Sequence, residues 1–137
     1  MRGYEYLLEQ FADETKKSGG NFFTPREVVR LLVNIVEPKE KMSICDPTCG
    51  SDGMLIESRR FVQQHGGNPR NLILEGQESN YGTVGMCKMN MVLHGVVDFK
   101  IEYGNLLGNP KLVQGGRLKT YDMVVANFPL AWIGITK

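Results

Sequence analysis

The chain has 137 residues, with 16 Lys and Arg against 15 Asp and Glu, and 42% of its residues are apolar. These values are typical of one globular domain, because a chain of this length buries roughly two-thirds of its unfolded surface in a single core. No apolar run approaches the ~18 residues of a membrane span, and the acidic start argues against a signal peptide. The formal charge of +1 indicates no basic surface of the kind that binds nucleic acid unaided.

The number and spacing of the cysteines indicate whether the protein resides in a reducing or an oxidising compartment. The chain has three cysteines, an odd number, and its two histidines do not stand at a zinc-ligand spacing from them. We therefore expect reduced thiols, no metal site and a cytoplasmic protein.

Two helices are predicted before the first strand. Apolar residues within 4–11 recur at the i, i+3, i+4 and i+7 spacing of one helical face, and residues 18–20 end that helix. The next segment has the pattern of a capping box, with Thr24 as N-cap, Pro25 at the first helical position and a Glu at the third. This second helix is predicted to stop before Pro38.

Short apolar strands then alternate with helices. Strands are predicted at 42–45, from 71–74 to near Glu78, at 99–103 and at 121–126, with helices at 54–65 and 81–94 and a long loop at 104–120. The last strand is mostly apolar, with Asp122 near its start, and is predicted to be fully buried. The alternation predicts an α/β fold with a parallel sheet and right-handed crossovers.

Polar or glycine-rich segments follow three of these strands, and ligands bind at the carboxyl ends of parallel strands. Gly50 and Gly53 allow the backbone to approach a ligand, and Glu78 can accept hydrogen bonds from both hydroxyls of a ribose. These are the requirements of an adenosine-containing cofactor, although an ordinary tight turn also explains the two glycines. The Gly-x-Gly-x-x-Gly pattern is absent from this turn, which argues against a nicotinamide cofactor.

The segment after the last predicted strand is a candidate for substrate binding. Asn127, Phe128 and Pro129 offer a side-chain amide and backbone carbonyls as acceptors. A planar exocyclic amine could donate both of its hydrogens to such acceptors. The alternative is a turn that does no more than end the strand.

Four segments form an ordered set along the chain. They are Phe22-Phe23-Thr24-Pro25, Asp46-Pro47-Thr48-Cys49-Gly50-Ser51, Gln77-Glu78-x-Asn80 with Lys88-Met89-Asn90-x-x-x-His94-Gly95, and Asn127-Phe128-Pro129-Leu130. The set resembles the DNA adenine-N6 methyltransferases, most closely the modification subunit of type I restriction-modification systems. The resemblance implies a partial Rossmann-like methyltransferase fold, S-adenosyl-L-methionine as cofactor, and adenine in DNA as substrate. It also implies a specificity subunit and a restriction subunit as partners.

The resemblance further implies roles for individual residues. Phe23 and Thr24 would contact the methionine end of the cofactor, Asp46 and Gly50 its amino group and sugar region, and Glu78 its ribose. The full cofactor set implied is Phe23, Thr24, Asp46, Thr48, Gly50, Ser51, Gly53, Glu78 and Asn105. The catalytic set implied is Asn127, Phe128, Pro129 and Leu130. Asn127 and the carbonyl of Phe128 would take the adenine.

The chain departs from the family pattern at three positions. Asp52 stands where the glycine loop usually has Gly; if the backbone there requires a positive φ, Asp costs about 1 kcal/mol more than Gly. Its carboxylate would repel the cofactor's carboxylate or attract its ammonium group. Asn105 replaces a common Asp. Leu130 replaces an aromatic residue expected to stack on the base, and Trp132 is a possible substitute, although a packing or exposed Trp is the simpler explanation.

The domain expectation follows from these segments. Residues 1–20 are predicted to end an N-terminal helical region, and residues 21–137 to form the first part of a catalytic domain truncated after about four strands. Open strand edges and an uncovered helix stripe predict self-association or a missing partner. Two functions besides DNA methylation are a non-catalytic remnant that binds only cofactor or partners, and methylation of a protein glutamine amide.

Overall fold

The computed structural model describes Gly3, Tyr6 and residues 24–128 of the chain. The helix predicted within residues 4–17 therefore lies almost entirely outside the described residues. The described elements are α1 (Arg26–Val36), β1 (Ser43–Asp46), α2 (Gly53–Gln64), a 3-10 turn (Pro69–Asn71), β2 (Ile73–Glu78), α3 (Tyr81–Leu93), β3 (Lys100–Tyr103), β4 (Val113–Gln114), β5 (Arg117–Leu118) and β6 (Met123–Val124).

Four of the strands form one parallel sheet in the order β3-β2-β1-β6. The order reverses beside β1: the chain runs from β1 through β2 to β3 on one side and returns on the other side as β6. In open α/β sheets such a reversal point is where ligands bind, at the carboxyl ends of the strands. The predicted α/β class, with its parallel sheet flanked by helices, is confirmed.

The helices pack on the sheet through one apolar core. Contacts join α2 to β1 and to α1, and α3 to β2 and β3. The fully or nearly fully buried side chains of this core include Val33, Ile44, Leu55, Leu74, Cys87, Met91 and Ile101. The core therefore fixes both helices that begin near the carboxyl edge of the sheet, α2 and α3.

The predicted capping box at the start of α1 is wrong. The N-cap residue is Pro25, one position later than predicted, and no side chain caps the helix. The Val29 N–H donates to the Pro25 carbonyl at 3.0 Å, so the first helical bond starts there. The Thr24 hydroxyl has another partner, described below, and is not used as a cap.

The segment predicted as a loop contains a short hairpin. β4 and β5 pair antiparallel within residues 104–120, and the turn between them is Gly115-Gly116, with φ of 58° and 74°. A two-residue hairpin turn of this kind needs positive φ at both positions, which glycine adopts without strain.

The last strand is shorter and more exposed than predicted. β6 spans two residues in place of 121–126, and Val124 is 58% exposed, although Val125 is buried. Among the described residues, β6 is the end strand of the sheet, so nothing covers its outer side.

Within residues 24–128, no helix is long and apolar enough to cross a bilayer.

Candidate functional site

The turn that joins β1 to α2 is bound to the end of β2. The Cys49 N–H donates to the Gln77 carbonyl and the Gly50 N–H to Glu78 Oε2, both at 3.0 Å. Gly50 has a φ of 53°, which supports the prediction of a glycine at a bare, tightly turned position. The structure thus brings Gly50 and Glu78, predicted separately from the sequence, into direct contact.

Asp46 ends β1 and is buried beneath this turn. Its Oδ1 accepts from the Thr48 N–H at 3.0 Å. Burial raises the pKa of Asp46 to about 7, the nearby charge of Glu78 acts in the same direction, and the hydrogen bond from Thr48 opposes them. Thr48 Oγ1 is also buried and has no hydrogen-bond partner in the described chain. The turn therefore holds two polar groups that a bound ligand can satisfy.

The two carboxylate oxygens of Glu78 accept hydrogen bonds from different residues. While Oε2 accepts from Gly50, Oε1 accepts from the Asn80 N–H at 2.8 Å and from the Ser79 hydroxyl at 3.2 Å. Asn80 in turn caps α3, since its side chain accepts from the Thr83 N–H at 3.1 Å. The carboxylate is half-buried and fixed in orientation, as a group that recognises two adjacent hydroxyls needs to be.

Asp52 adopts the backbone conformation that the glycine pattern implies, with φ of 71° and ψ of 39°. Its side chain is fully buried, and Oδ2 accepts from Cys87 Sγ of α3 at 3.5 Å. Because the side chain points into the protein, the geometry does not favour the expected contact between this carboxylate and the charged groups of the cofactor.

Ser51 and Gly53 stand on either side of Asp52. The Ser51 carbonyl accepts from Asn90 Nδ2 of α3 at 2.8 Å, and Gly53 is the first residue of α2. A Cβ added to Gly53 would meet Val29 at an ordinary 3.5 Å. Space alone thus does not require a glycine at position 53.

The segment after β6 meets the segment before α1. Asn127 Nδ2 donates to Thr24 Oγ1 at 3.2 Å, across 103 positions of sequence. An amide whose nitrogen donates to a hydroxyl has its oxygen free to accept from another donor. The first and last of the four motifs are therefore neighbours in space. The next residue, Phe128, is 46% exposed.

Several predicted site residues lie outside the described residues. They are Phe23 of the presumed cofactor set, Pro129 and Leu130 of the catalytic set, and Trp132. Their roles stay predictions.

Asn105 follows β3 and is exposed. Its Oδ1 accepts from the Leu107 N–H at 2.9 Å and from the Gly108 N–H at 3.3 Å, so it stabilises its own turn. Its proposed bond to the cofactor's adenine stays a prediction.

Gln77 is a functional candidate that the motif pattern alone did not single out. It is fully buried, donates from Nε2 to the carbonyls of Gly104 and Asn109 at 2.9 and 3.1 Å, and accepts from the Lys111 N–H at 2.9 Å. The side chain thus ties the loop after β3 to the end of β2. The available signal was its place in the segment Gln77-Glu78-x-Asn80, from which no role for Gln77 was predicted.

Comparison with known proteins decides the family. The profile of the family described as N-6 DNA Methylase matches residues 2–132. The chain belongs to this family. The methylase subunit of the type I restriction enzyme MjaVIII of Methanocaldococcus jannaschii is 44% identical over 135 residues, which cover 92% of this chain and 22% of that protein.

Solved structures agree with this assignment. The type I restriction-modification methyltransferase subunit of Streptococcus thermophilus superposes with a TM-score of 0.76 at 32% identity, over 92% of this chain and 26% of that one. An RNA methyltransferase of Salinibacter ruber in complex with S-adenosyl-L-homocysteine shares the fold alone, with a TM-score of 0.54 at 20% identity, 64% of this chain and 53% of that one. The chain spans about a quarter of the length of its N-6 DNA methylase relatives.

Proposed function

We propose that the protein containing this chain transfers a methyl group from S-adenosyl-L-methionine to N6 of adenine in DNA. The observation that carries the proposal is the contact between Asn127 and Thr24, at the carboxyl edge of the sheet. It orients a carboxamide oxygen at the end of β6, the strand beside the β1 turn. Membership of the N-6 DNA methylase family supports the same reaction.

The residues around the β1 turn fit this cofactor. The bare backbone at Gly50, the half-buried carboxylate of Glu78 and the unpartnered hydroxyl of Thr48 provide groups for a ribose and an amino acid end. Asp46 and Thr24 would hold the amino acid end, since Thr24 can donate its own hydroxyl hydrogen while it accepts from Asn127. Bound cofactor supplies an activated methyl group on a sulfonium, which is an excellent leaving group.

Asn127 and the Phe128 carbonyl would bind the adenine amine. The N6 lone pair is delocalised into the ring, and two acceptors bonded to its hydrogens favour the geometry in which that pair can attack in line. No strong general base is needed with such a leaving group. The adenine must first leave the duplex to reach these acceptors.

Partners and domain limits are part of the proposal. The near-neutral chain offers little for DNA by itself, so we assign target recognition to a specificity subunit and cleavage to a restriction subunit. Residues 1–20 would close a helical region, and residues 21–137 would begin the catalytic domain. A cytoplasmic location fits an enzyme that acts on DNA.

One argument for the alternative function, a non-catalytic remnant that binds only cofactor or partners, is weakened by the position of Asp52. It relied partly on a carboxylate at position 52 facing the cofactor, and the Asp52 side chain is buried against α3. Methylation of a protein glutamine has no feature of the described residues in its favour over DNA.

The experiment uses the intact protein, purified with its partner subunits. Tritium-labelled S-adenosyl-L-methionine is incubated with unmethylated DNA, and the DNA is digested to nucleosides. We expect label in N6-methyl-2′-deoxyadenosine, and a loss of about 100-fold or more in kcat for Asn127→Ala with cofactor binding retained. Full activity of Asn127→Ala would contradict the assigned role, and label in protein glutamine would contradict the substrate.

A further inference from the structure

Buried polar contacts join the β1–α2 turn to helix α3. Asp52 Oδ2 accepts from Cys87 Sγ at 3.5 Å, and Asn90 Nδ2 donates to the Ser51 carbonyl at 2.8 Å. Cys87 Sγ also lies 3.8 Å from Cys49 Sγ of the turn. Consecutive residues of the turn are thus held by two residues one helical turn apart on α3.

The backbone at Asp52 is in a conformation that side chains other than Gly rarely adopt. Asp tolerates it better than most residues, and Gly would adopt it without strain. The side chain is fully buried, so solvent does not compensate for the strain. What the side chain adds is the contact with α3.

Two oxygen atoms at this junction lack partners among the described residues: Asp52 Oδ1 and Asn90 Oδ1, both buried. The donors that face the Asp52 carboxyl group are the Cys87 thiol and the Leu55 N–H, and the cost of burying its charge outweighs them. Burial, and the charge of Asp46 after it, raise the pKa of Asp52 well above its usual value. Cys49 and Cys87 are the other titratable groups beside it, and burial contributes to a raised pKa for both.

We propose that Asp52 is a positioning residue for the cofactor: its buried side chain ties the β1–α2 turn to Cys87 of α3, beside the bond from Asn90 to the Ser51 carbonyl. It acts through the backbone of the turn, which includes Gly50, and does not touch the cofactor. This inference rests on the proposed role of the turn in binding S-adenosyl-L-methionine.

Two substitutions in the intact protein separate the effect of the Asp52 charge from that of its side chain. Asp52→Asn keeps the shape, lacks the charge and always carries a donor. Asp52→Gly removes the side chain and relieves the backbone, so its folded state gains from the easier φ. Asp98→Asn, at an exposed carboxylate between α3 and β3, is the matched control.

The first measurement is the Kd of S-adenosyl-L-methionine by titration calorimetry. We expect Asp52→Gly to bind about tenfold more weakly, the effect of losing a buried hydrogen-bonded link, with an unfolding midpoint no lower than that of the unsubstituted protein. Asp52→Asn and Asp98→Asn should bind within about twofold of it. A merely structural role would lower the midpoint of Asp52→Gly together with its affinity.

The second measurement does not depend on the cofactor. Labelling of Cys87 by an aromatic disulfide reagent, followed by mass spectrometry, reports access to the junction. We expect faster labelling in Asp52→Gly than in Asp52→Asn, since only the former opens the junction. Equal labelling in the two variants would overturn the link between Asp52 and α3.

The two proposals fail in different ways. If the unsubstituted protein binds the cofactor and Asp52→Gly binds it equally well or better, the positioning role is wrong while the proposed function stands. If the unsubstituted protein does not bind S-adenosyl-L-methionine, the proposed function is wrong, and a positioning role for the cofactor falls with it.

Discussion

The two ends of a side-chain amide differ chemically, and at Asn127 the structure distinguishes them. The nitrogen donates to Thr24 Oγ1, which leaves the oxygen to accept from a substrate amine. Without a partner for the nitrogen, the carboxamide can rotate and present the wrong end. Thr24 therefore matters to the reaction through Asn127, besides any contact with the cofactor.

Replacing Thr24 tests this orientation. We expect Thr24→Val, which keeps the shape and loses the acceptor, to lower kcat at saturating cofactor by about ten- to a hundredfold, because the carboxamide is no longer held in place. Thr24→Ser retains the hydroxyl and should restore most of the rate. Steady-state methyl transfer to DNA is the measurement, and an unchanged kcat in Thr24→Val would contradict the role.

The raised pKa of Asp46 predicts that the stability of the fold depends on pH. Its pKa is about 7 in the folded chain and 3.8 as the ordinary value, so between these values the folded state holds a proton that the unfolded state has lost. Stability therefore falls as the pH rises through this window, by up to about tenfold per pH unit in the unfolding equilibrium constant. Asp46→Asn should have a flatter profile between about pH 4 and 7, measured by denaturant unfolding.

Asp52 contributes to the same dependence of stability on pH. Burial raises the pKa of Asp52 well above its ordinary value, so this group also makes stability fall as the pH rises above about 4. Asp46→Asn thus retains a residual slope from Asp52. A profile for Asp46→Asn that is as steep as the original would show that Asp46 is ionised in the folded state.

At the scale of elements, β2 carries more of the site than its length suggests. Gly76 has no room for a Cβ, which would lie 2.9 Å from Ile101 and 3.1 Å from both the Asp46 carbonyl and Cys49. The next residue, Gln77, holds the loop after β3 by its side chain, and Glu78 holds the β1 turn. Three consecutive residues thus position the two loops at the carboxyl edge.

Gln77→Met tests the anchoring of the loop at residues 104–111. Met fits a similar volume but leaves buried carbonyls and an N–H without partners, so we expect a loss of about 2 to 3 kcal/mol in the free energy of unfolding. Limited proteolysis should cut within 104–111 sooner than in the unsubstituted protein. Gln64→Met, at an exposed position at the end of α2, is the control, and equal behaviour of the two variants would contradict the anchoring.

The order of the elements could be predicted because its signals are local. Apolar spacing and glycine positions place α2, α3 and β3 within one or two residues of where the structure has them. The capping box failed for a non-local reason: the Thr24 hydroxyl bonds to Asn127, a partner 103 positions away. No local pattern contains that information.

Two further errors also have physical causes. The hairpin of β4 and β5 has strands of two residues, too short to show alternation, and Gly115-Gly116 was its only signal. The exposure of Val124 depends on whether another strand lies beside β6, which the apolar run at 123–126 does not reveal. For the site, the motifs predicted Gly50 and Glu78 separately as cofactor-binding residues, whereas their contact and the buried role of Gln77 required the fold.

At the scale of the whole molecule, the two edges of the sheet differ. β3 forms one edge and carries Lys100 and Glu102, which pair at 3.3 Å. Charged residues on an edge strand oppose pairing with another chain. Among residues 24–128, β6 forms the other edge, and it carries Met123 and the exposed Val124. The uncharged edge is therefore the one prone to association.

The predicted self-association can be assigned to this edge. We expect the 137-residue chain, produced by itself, to form dimers or larger species, and Val124→Lys to shift them towards monomer, because a charge on an edge strand opposes strand addition. Size-exclusion chromatography with light scattering measures the mass. Val97→Lys, at an 85% exposed apolar residue outside the sheet, is the control and should leave the mass unchanged. If Val97→Lys converts the oligomer to monomer and Val124→Lys does not, the interface lies at the α3 side and not at the β6 edge.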